Sequence, residues 1–263
     1  MASDRTVIGL VPAAGCARRL PPTPCSKEIY PINFALGDSG PSVAAHSLLR
    51  RMRQGGATYA YIVLRDGKWD IPAFLRSGRA VDLPLGYLMM EEPYGVPFTL
   101  NQAYPFVQES TVIMGFPDIL FQPSTAYARL LGRQKKTGAD MVLGLFPARR
   151  PAKMDMVEFE ESGQVRSIII KPDETSLQYA WIIATWRPAF TEYLSRYTNK
   201  ILEKRRVDSS PRRETYIGHV IQEAIRDGLN VESVVFPEGS YFDIGTPDAL
   251  AEALQAREPE WFA

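Results

Sequence analysis

TVIGLVPAAG, residues 6–15, joins a short apolar run to a series of small residues. A run rich in β-branched residues that ends in this way predicts a strand buried on both faces, as in a parallel sheet. A loop rich in proline and small residues then extends through Pro24. Because small side chains let backbone N–H groups approach an anion, the turn after this strand is a candidate phosphate-binding segment.

Strands and helices alternate through the rest of the first half. The spacing of apolar residues predicts strands over 59–64, 85–90, 111–114 and 140–146, and helices over 42–53, 71–75 and 124–136. The second half is richer in β-segments, with strands predicted over 156–159, 165–170, 179–186 and 231–236, and helices over 190–204, 216–228 and 247–257.

This order predicts an α/β fold with a mixed, mostly parallel central sheet, helices on both faces and a small β-rich insertion over about 151–188. We expect residues 1–263 to form a single domain, with 1–150 as its first half and 151–263 as its second. The basic stretch from Lys204 to Arg213 is interpreted as a solvated loop.

The composition excludes several classes of protein. The chain carries 30 Lys and Arg and 30 Asp and Glu, and this balance argues against a dedicated nucleic-acid binder. We find neither an apolar run of membrane-spanning length nor a signal peptide. Two cysteines, Cys16 and Cys25, are too few for a disulfide framework and are interpreted as small filler residues, so we expect a cytoplasmic protein.

Two cations accompany the candidate phosphate segment. Arg19 and Lys27 lie where they could neutralise a triphosphate, and transfer of a phosphoryl or nucleotidyl group depends mainly on positioning and charge stabilisation. The alternative is an ordinary loop with two surface cations, and composition alone leaves both open.

Four motifs occur along the chain: AAGCARRL (13–20) with SKEIYPI (26–32), MGFPDILF (114–121), MVEF (156–159) with Lys171-Pro172, and YFDIGTPD (241–248). Taken together and in this order, they resemble the motifs of the sugar-phosphate nucleotidyltransferases, typified by glucose-1-phosphate thymidylyltransferase. The resemblance spans nearly the whole chain and implies a Rossmann-like fold of the GT-A type. It also implies Mg²⁺ as cofactor, with a nucleoside triphosphate and a sugar 1-phosphate as substrates. The oligomeric state stays open.

The resemblance assigns a role to each matching residue. Ala13, Ala14, Gly15, Gly95 and Asp118 would bind the nucleotide. Arg19 would hold the β- and γ-phosphates, and Lys27 would stabilise charge at the α-phosphorus.

On the sugar side, the resemblance implies that Glu158 and Lys171 bind the sugar phosphate. Asp118 and Asp243 would hold Mg²⁺ between them, which suits a hard cation bound by carboxylates and substrate phosphates. Taken singly, each aspartate could instead be a turn residue, and Asp243 could cap the segment that follows it.

The sequence departs from the family at positions that approach the base and the sugar. Pro97 or Phe98 stands where the thymidylyltransferases place a base-reading glutamine, and Ala17 replaces a common glycine. Asp155, Ile170 and the strand 181–184 replace residues near the sugar. Since Asp155 adds a carboxylate there, the sequence favours a cationic or heavily deoxygenated acceptor.

Two other functions remain open. A catalytically degenerate homologue could bind a nucleotide or sugar and regulate a partner, although such a protein would not need Arg19, Lys27, Asp118 and Asp243 together. A glycosyltransferase could share the fold, but the sequence contains no Asp-x-Asp motif.

Overall fold

The computed structural model describes residues 5–15, 24–33, 42–91, 94–207 and 214–255. The strands are β1 Val7–Pro12, β2 Pro31–Asn33, β3 Ser42–Val43, β4 Tyr59–Arg65, β5 Leu85–Met90, β6 Thr111–Gly115, β7 Ile119–Gln122, β8 Met141–Pro147, β9 Asp155–Phe159, β10 Val165–Ile170, β11 Tyr179–Trp186, β12 Val231–Val235 and β13 Ser240–Asp243. The helices are α1 Ala44–Gln54, α2 Asp70–Leu75, α3 Val96–Asn101, α4 Tyr104–Val107, α5 Ala126–Thr137, α6 Pro188–Val207, α7 Ile217–Arg226 and α8 Pro247–Gln255.

A nine-stranded mixed sheet forms the centre of the molecule. Strands β5, β4, β1 and β6 pair in parallel, and β12 pairs in parallel with β8. Strand β11 lies antiparallel between β6 and β8, and its first residues also pair with β9 of the β9–β10 hairpin. The predicted β-rich insertion is therefore an extension of the main sheet through β11.

Alternating side chains explain why the central strands are buried on both faces. In β8, Leu143 and Leu145 belong to the apolar core on one face of the sheet, and Val142 and Phe146 belong to the core on the other. Successive side chains of a strand point to opposite faces, so a continuous apolar run fills both cores.

Each face of the sheet is covered by helices. Helices α1, α2 and α5 contribute to one core, and α3, α4, α6 and α7 contribute to the other. The predicted α/β class, the mostly parallel sheet and the helices on both faces are confirmed.

A third, smaller apolar cluster joins distant parts of the chain. It contains Ile32, Leu120, Phe242 and Ala253, contributed by β2, β7, β13 and α8. Strands β7 and β13 form a separate antiparallel pair with Asp243 opposite Ile119. The sequence analysis did not predict β7 and β13, and this pair brings the two predicted metal ligands together.

The interpretation of 204–213 as a solvated loop is wrong for its first residues. Helix α6 continues through Val207, and the half-buried Arg205 packs on two aromatic rings. The remainder, 208–213, lies outside the described residues. Among the helices that are described, none combines the length and the apolar character needed to cross a bilayer.

Gly9 provides a test of the packing between β1 and α1. A Cβ atom there would lie 2.8 Å from Ala60 Cβ and 2.9 Å from Met52 Sδ. We expect Gly9→Ala to lower the free energy of unfolding by about 1–3 kcal/mol through overpacking. The control is Gly132→Ala on the exposed side of α5, where a Cβ meets nothing within 4 Å. Gly132→Ala should raise the free energy of unfolding by about 0.5–1 kcal/mol, because glycine loses more conformational freedom than alanine in a helix. Urea-induced unfolding measures both, and equal stabilisation by both would contradict the packing described here.

Candidate functional site

The small residues after β1 lie at the carboxyl end of a central strand, where open α/β sheets bind ligands. Ala13 N–H donates to Val63 O at 2.8 Å, which extends the pairing of β1 with β4. The Ala13 and Ala14 side chains are buried in the two opposite cores, so these residues can offer only backbone groups to a ligand. Gly15 is exposed, and a Cβ there would meet nothing. Arg19 lies outside the described residues.

Lys27 begins a short 3₁₀ turn, Lys27–Ile29, and its ammonium forms an ion pair with the Asp118 carboxylate. The two side chains are only 14% and 10% exposed. Burial lowers the pKa of Lys27, but the adjacent Asp118 outweighs it and the pKa lies above its usual value. Lys27 therefore remains a cation at neutral pH.

Asp70, the first residue of α2, and Lys68, which precedes the helix, bind Ser26 and Glu28, the two neighbours of Lys27. The Asp70 carboxylate accepts hydrogen bonds from Ser26 N–H at 2.6 Å and Ser26 Oγ at 2.8 Å. Lys68 Nζ pairs with Glu28 Oε1 at 2.5 Å, and both of these side chains are at least nine-tenths buried. The turn that carries Lys27 is thus fixed by two sets of polar contacts.

The Glu28–Lys68 pair lies in an environment that disfavours charge. Burial raises the pKa of Glu28, and Lys68 opposes this shift. The second carboxylate oxygen, Glu28 Oε2, is buried and has no hydrogen-bond partner among the residues that the structure describes. Sequence reasoning missed this pair because nothing in the local pattern links residues separated by 40 positions.

Asp118 and Asp243 come together through the β7–β13 pair. Asp243 is the last residue of β13, and Asp118 directly precedes β7. The backbone of Ile244 donates to Asp118 O at 3.0 Å, which links the two segments beyond the strands. Asp243 also contributes to the raised pKa of Lys27. Lys27, Asp118 and Asp243 therefore form one charged cluster.

Asp243 makes a turn contact and also lines a cavity. Its Oδ1 accepts a hydrogen bond from Gly245 N–H at 2.9 Å, so the residue does cap the turn after β13. It also lines a cavity of about 290 Å³ that contains Asp155, Lys171, Trp181 and Tyr216. Asp243 thus belongs both to the charged cluster and to the lining of the cavity on the predicted sugar side.

Lys171 reaches the cavity from an unusual backbone conformation. Its φ angle is +46°, a left-handed region that is uncommon for residues other than glycine and often marks functional sites. Its N–H donates to Met154 O at 3.0 Å, and its Nζ lies 3.7 Å from the centre of the Tyr216 ring.

Gly95 and its neighbours pack against the segment after α6. The φ angle of Gly95 is +124°, and a Cβ there would lie 2.3 Å from Thr215 O, so only glycine fits. Arg205 packs on the rings of Tyr94 and Phe98 and donates to Thr215 Oγ1 at 3.2 Å. Phe98 is buried in the core, so it cannot take the place of a base-reading glutamine.

Of the two residues predicted to bind the sugar phosphate, Lys171 lines the cavity and Glu158 does not. Glu158 is exposed and accepts a hydrogen bond from Ser167 Oγ at 2.7 Å. Asp155, on the same strand, does line the cavity. Because side chains alternate along a strand, Glu158 points to the opposite face, and its predicted role has no support from its position.

The fold and the site define a class of enzymes that bind a nucleotide at the carboxyl ends of the central strands. The family profile described as "Nucleotidyl transferase" matches residues 8–260, and the chain belongs to this family. Among characterised relatives, the chain is similar to the low-salt glycan biosynthesis nucleotidyltransferase Agl11 of Haloferax volcanii, with 23% identity over 206 residues. That match covers 78% of this chain and 54% of Agl11, so the chain spans about half the length of this relative.

Solved structures share the same fold. A protein described as a glucose-1-phosphate thymidylyltransferase of Bacillus anthracis, in complex with sucrose, has a TM-score of 0.77 and 18% identity, with 95% of this chain and 94% of that one covered. The UTP-bound UGPase of Acinetobacter baumannii has a TM-score of 0.75 and 15% identity, with coverages of 97% and 94%. A UDP-glucose pyrophosphorylase complexed with UDP-glucose has a TM-score of 0.74 and 16% identity, with coverages of 95% and 98%.

The buried Glu28–Lys68 pair gives a stability test. Lys68→Met leaves the Glu28 carboxylate buried without its cation, and we expect the free energy of unfolding to fall by about 3–5 kcal/mol. The double variant Glu28→Leu with Lys68→Met removes both charges and should recover most of this loss. Urea-induced unfolding of the single and double variants measures the difference. A double variant no more stable than Lys68→Met alone would contradict this account.

Proposed function

We propose that the protein transfers a nucleotidyl group from a nucleoside triphosphate to a sugar 1-phosphate, in an Mg²⁺-dependent reaction. The observation that carries the proposal is the cluster of Lys27, Asp118 and Asp243 beside a cavity that also contains Lys171. Phosphoryl-type transfer needs positioned charge more than a covalent nucleophile, and this arrangement supplies positioned charge.

The reaction requires one bond exchange. A phosphate oxygen of the sugar 1-phosphate attacks the α-phosphorus, and a new P–O bond forms. The bond from the α-phosphorus to the oxygen that bridges it to the β-phosphorus breaks, and pyrophosphate leaves with its electron pair. The products are a nucleoside diphosphate sugar and pyrophosphate, and the step consumes neither water nor an oxidant.

Each residue of the site receives a part in this proposal. Backbone groups of Ala13, Ala14 and Gly15 and the segment at Gly95 contact the nucleotide. Lys27, which remains charged beside Asp118, stabilises the negative charge that develops around the α-phosphorus.

Two further cations, Arg19 and Lys171, act at the two ends of the reacting phosphates. Arg19 assists the departure of pyrophosphate; this part of the proposal rests on the sequence motif. Lys171 holds the phosphate of the acceptor from its place at the cavity.

The donors at Asp118 and Asp243 fit a magnesium ion. Both offer carboxylate oxygens, and Mg²⁺ in such sites takes one or two carboxylates and completes its shell with water and substrate phosphates. No cluster of three or more His, Cys, Asp or Glu side chains suited to a metal occurs among the residues that the structure describes. When bound, the ion would offset negative charge on the phosphates. The two cysteines of the sequence also lead us to propose a cytoplasmic location.

Pyrophosphate release tests the proposed activity. The purified protein is incubated with Mg²⁺ and a matrix of triphosphates and sugar 1-phosphates, and we expect release for at least one pair. Release from no pair, together with measurable binding of nucleotide, would favour the degenerate homologue.

With the best pair, Lys27→Ala should lower kcat by about 100- to 1000-fold, because it removes one preorganised charge from the transition state. KM should change less. The matched control is Lys136→Ala on the exposed surface of α5, which should behave like the wild type. An effect of Lys27→Ala on KM alone would limit this residue to binding.

A separate prediction concerns the aspartates. Asp118→Asn and Asp243→Asn should each abolish most turnover and weaken the Mg²⁺ dependence of nucleotide binding, measured by titration calorimetry with and without Mg²⁺. The exposed Asp173 provides the control Asp173→Asn, with unchanged behaviour expected. A thermal melt verifies folding. Full turnover and an unchanged Mg²⁺ response in either variant would remove that residue from the metal site.

A further inference from the structure

A carboxylate lies on the sugar side of the cavity and is fixed by its packing. Asp155 begins β9, and its side chain lines the cavity. A Cβ atom at Gly218, near the start of α7, would collide with Asp155 Oδ2, so the helix backbone comes close to this carboxylate. Burial raises the pKa of Asp155, while Lys171, Trp181 and His219 act in the opposite direction. Asp155 is therefore a partly desolvated acid that gains from a neighbouring cation.

Aromatic side chains line the same part of the cavity. Tyr216 and Trp181 are lining residues, and the Trp181 ring centre lies 5.8 Å from that of Phe116. Within the described part of the chain, the indole N–H of Trp181 has no hydrogen-bond acceptor in ordinary geometry, although it lies close enough to lower the pKa of Asp155. Aromatic ring faces attract cations, and this attraction strengthens when water is excluded.

The position of Lys171 demonstrates that this place accepts an ammonium group. Its Nζ lies 3.7 Å from the Tyr216 ring centre, and its charge lowers the pKa of Asp155. In the proposed reaction, however, the same ammonium is needed at the acceptor phosphate. Lys171 and Asp155 line the same cavity without forming an ion pair. When Lys171 turns to that phosphate, the half-buried Asp155 loses the nearby positive charge, and a carboxylate in such surroundings is then less favourable.

We propose that the acceptor is an amino sugar 1-phosphate whose protonated amine binds between the Asp155 carboxylate and the Tyr216 ring. The inference rests on the proposed function, because it assigns Lys171 to the acceptor phosphate. The amine takes no part in bond formation. It supplies positive charge beside Asp155 while Lys171 binds the phosphate.

The other cations of the cavity do not oppose a cationic acceptor. Arg149, Arg150 and Lys153 are exposed, and solvent and salt screen their charges. Arg149 also pairs with Glu252 at 2.9 Å. Asp155, in contrast, is half-buried and lies close enough to Lys171 for that charge to lower its pKa.

The test compares acceptors that differ only in charge. Hexose 1-phosphates with a free amine at C2, C3 or C4 are each paired with the N-acetyl form, and kcat/KM is measured with the best triphosphate. At least one amine should exceed its N-acetyl counterpart by about 10- to 100-fold, the value of a hydrogen bond to a charged group. Asp155→Asn should reduce this ratio by a similar factor, whereas the control Asp173→Asn should leave it unchanged. Rescue of the ratio by Asp155→Glu would support a role for the charge.

Acceptor binding separates failure of this inference from failure of the proposed function. Titration calorimetry measures the affinity of each amine and N-acetyl form for the wild type and Asp155→Asn without turnover. If no pair releases pyrophosphate but the wild type prefers the amine and Asp155→Asn does not, the activity is wrong and the subsite is right. If the neutral forms bind and react as well as the amines, or Asp155→Asn keeps the preference, the inference is overturned.

Discussion

Strand β11 runs against both of its long neighbours, β6 and β8, and its hydrogen bonds hold the two halves of the molecule in one sheet. Its first residues also pair with β9, which carries Asp155. The turn after β6 carries Asp118. The same strand therefore links the charged cluster to the side of the cavity that Asp155 lines. In the proposed reaction a transferred group must reach both sides at once, and a rigid shared strand favours that geometry.

Buried charge is concentrated under the turn that presents Lys27. The Glu28–Lys68 pair and the Lys27–Asp118 pair are both largely excluded from solvent. Such pairs rarely add stability, because desolvation offsets most of the attraction between the charges. Their effect here is geometric. A buried ion pair permits few arrangements, so the Lys27 ammonium is held in one position. The two ion pairs at this turn therefore define the position of the cation while adding little stability.

The sequence predicts most of the sheet, because long apolar strands such as β1 and β8 carry a strong local signal. It also identifies Lys27, Asp118, Lys171 and Asp243 through motifs. Local patterns could not predict that β7 and β13 pair, since each is short and its partner lies far along the chain. For the same reason, local patterns did not predict the Glu28–Lys68 contact or the packing of Arg205 on Tyr94. The exposed position of Glu158 could not be predicted, because a motif identifies a strand without showing which face each side chain occupies.

The pairing of β7 with β13 has a consequence for how the protein is made. During synthesis, Lys27 and Asp118 leave the ribosome long before Asp243, whose strand must return to pair with β7. Early-emerging segments can begin to fold while the rest is translated, but contacts between distant residues form slowly. A nascent chain would therefore hold the first carboxylate and the lysine without the second carboxylate, and would expose the edge of β7. The two carboxylates that we propose as metal ligands would therefore come together only after β13 has been synthesised and has paired with β7.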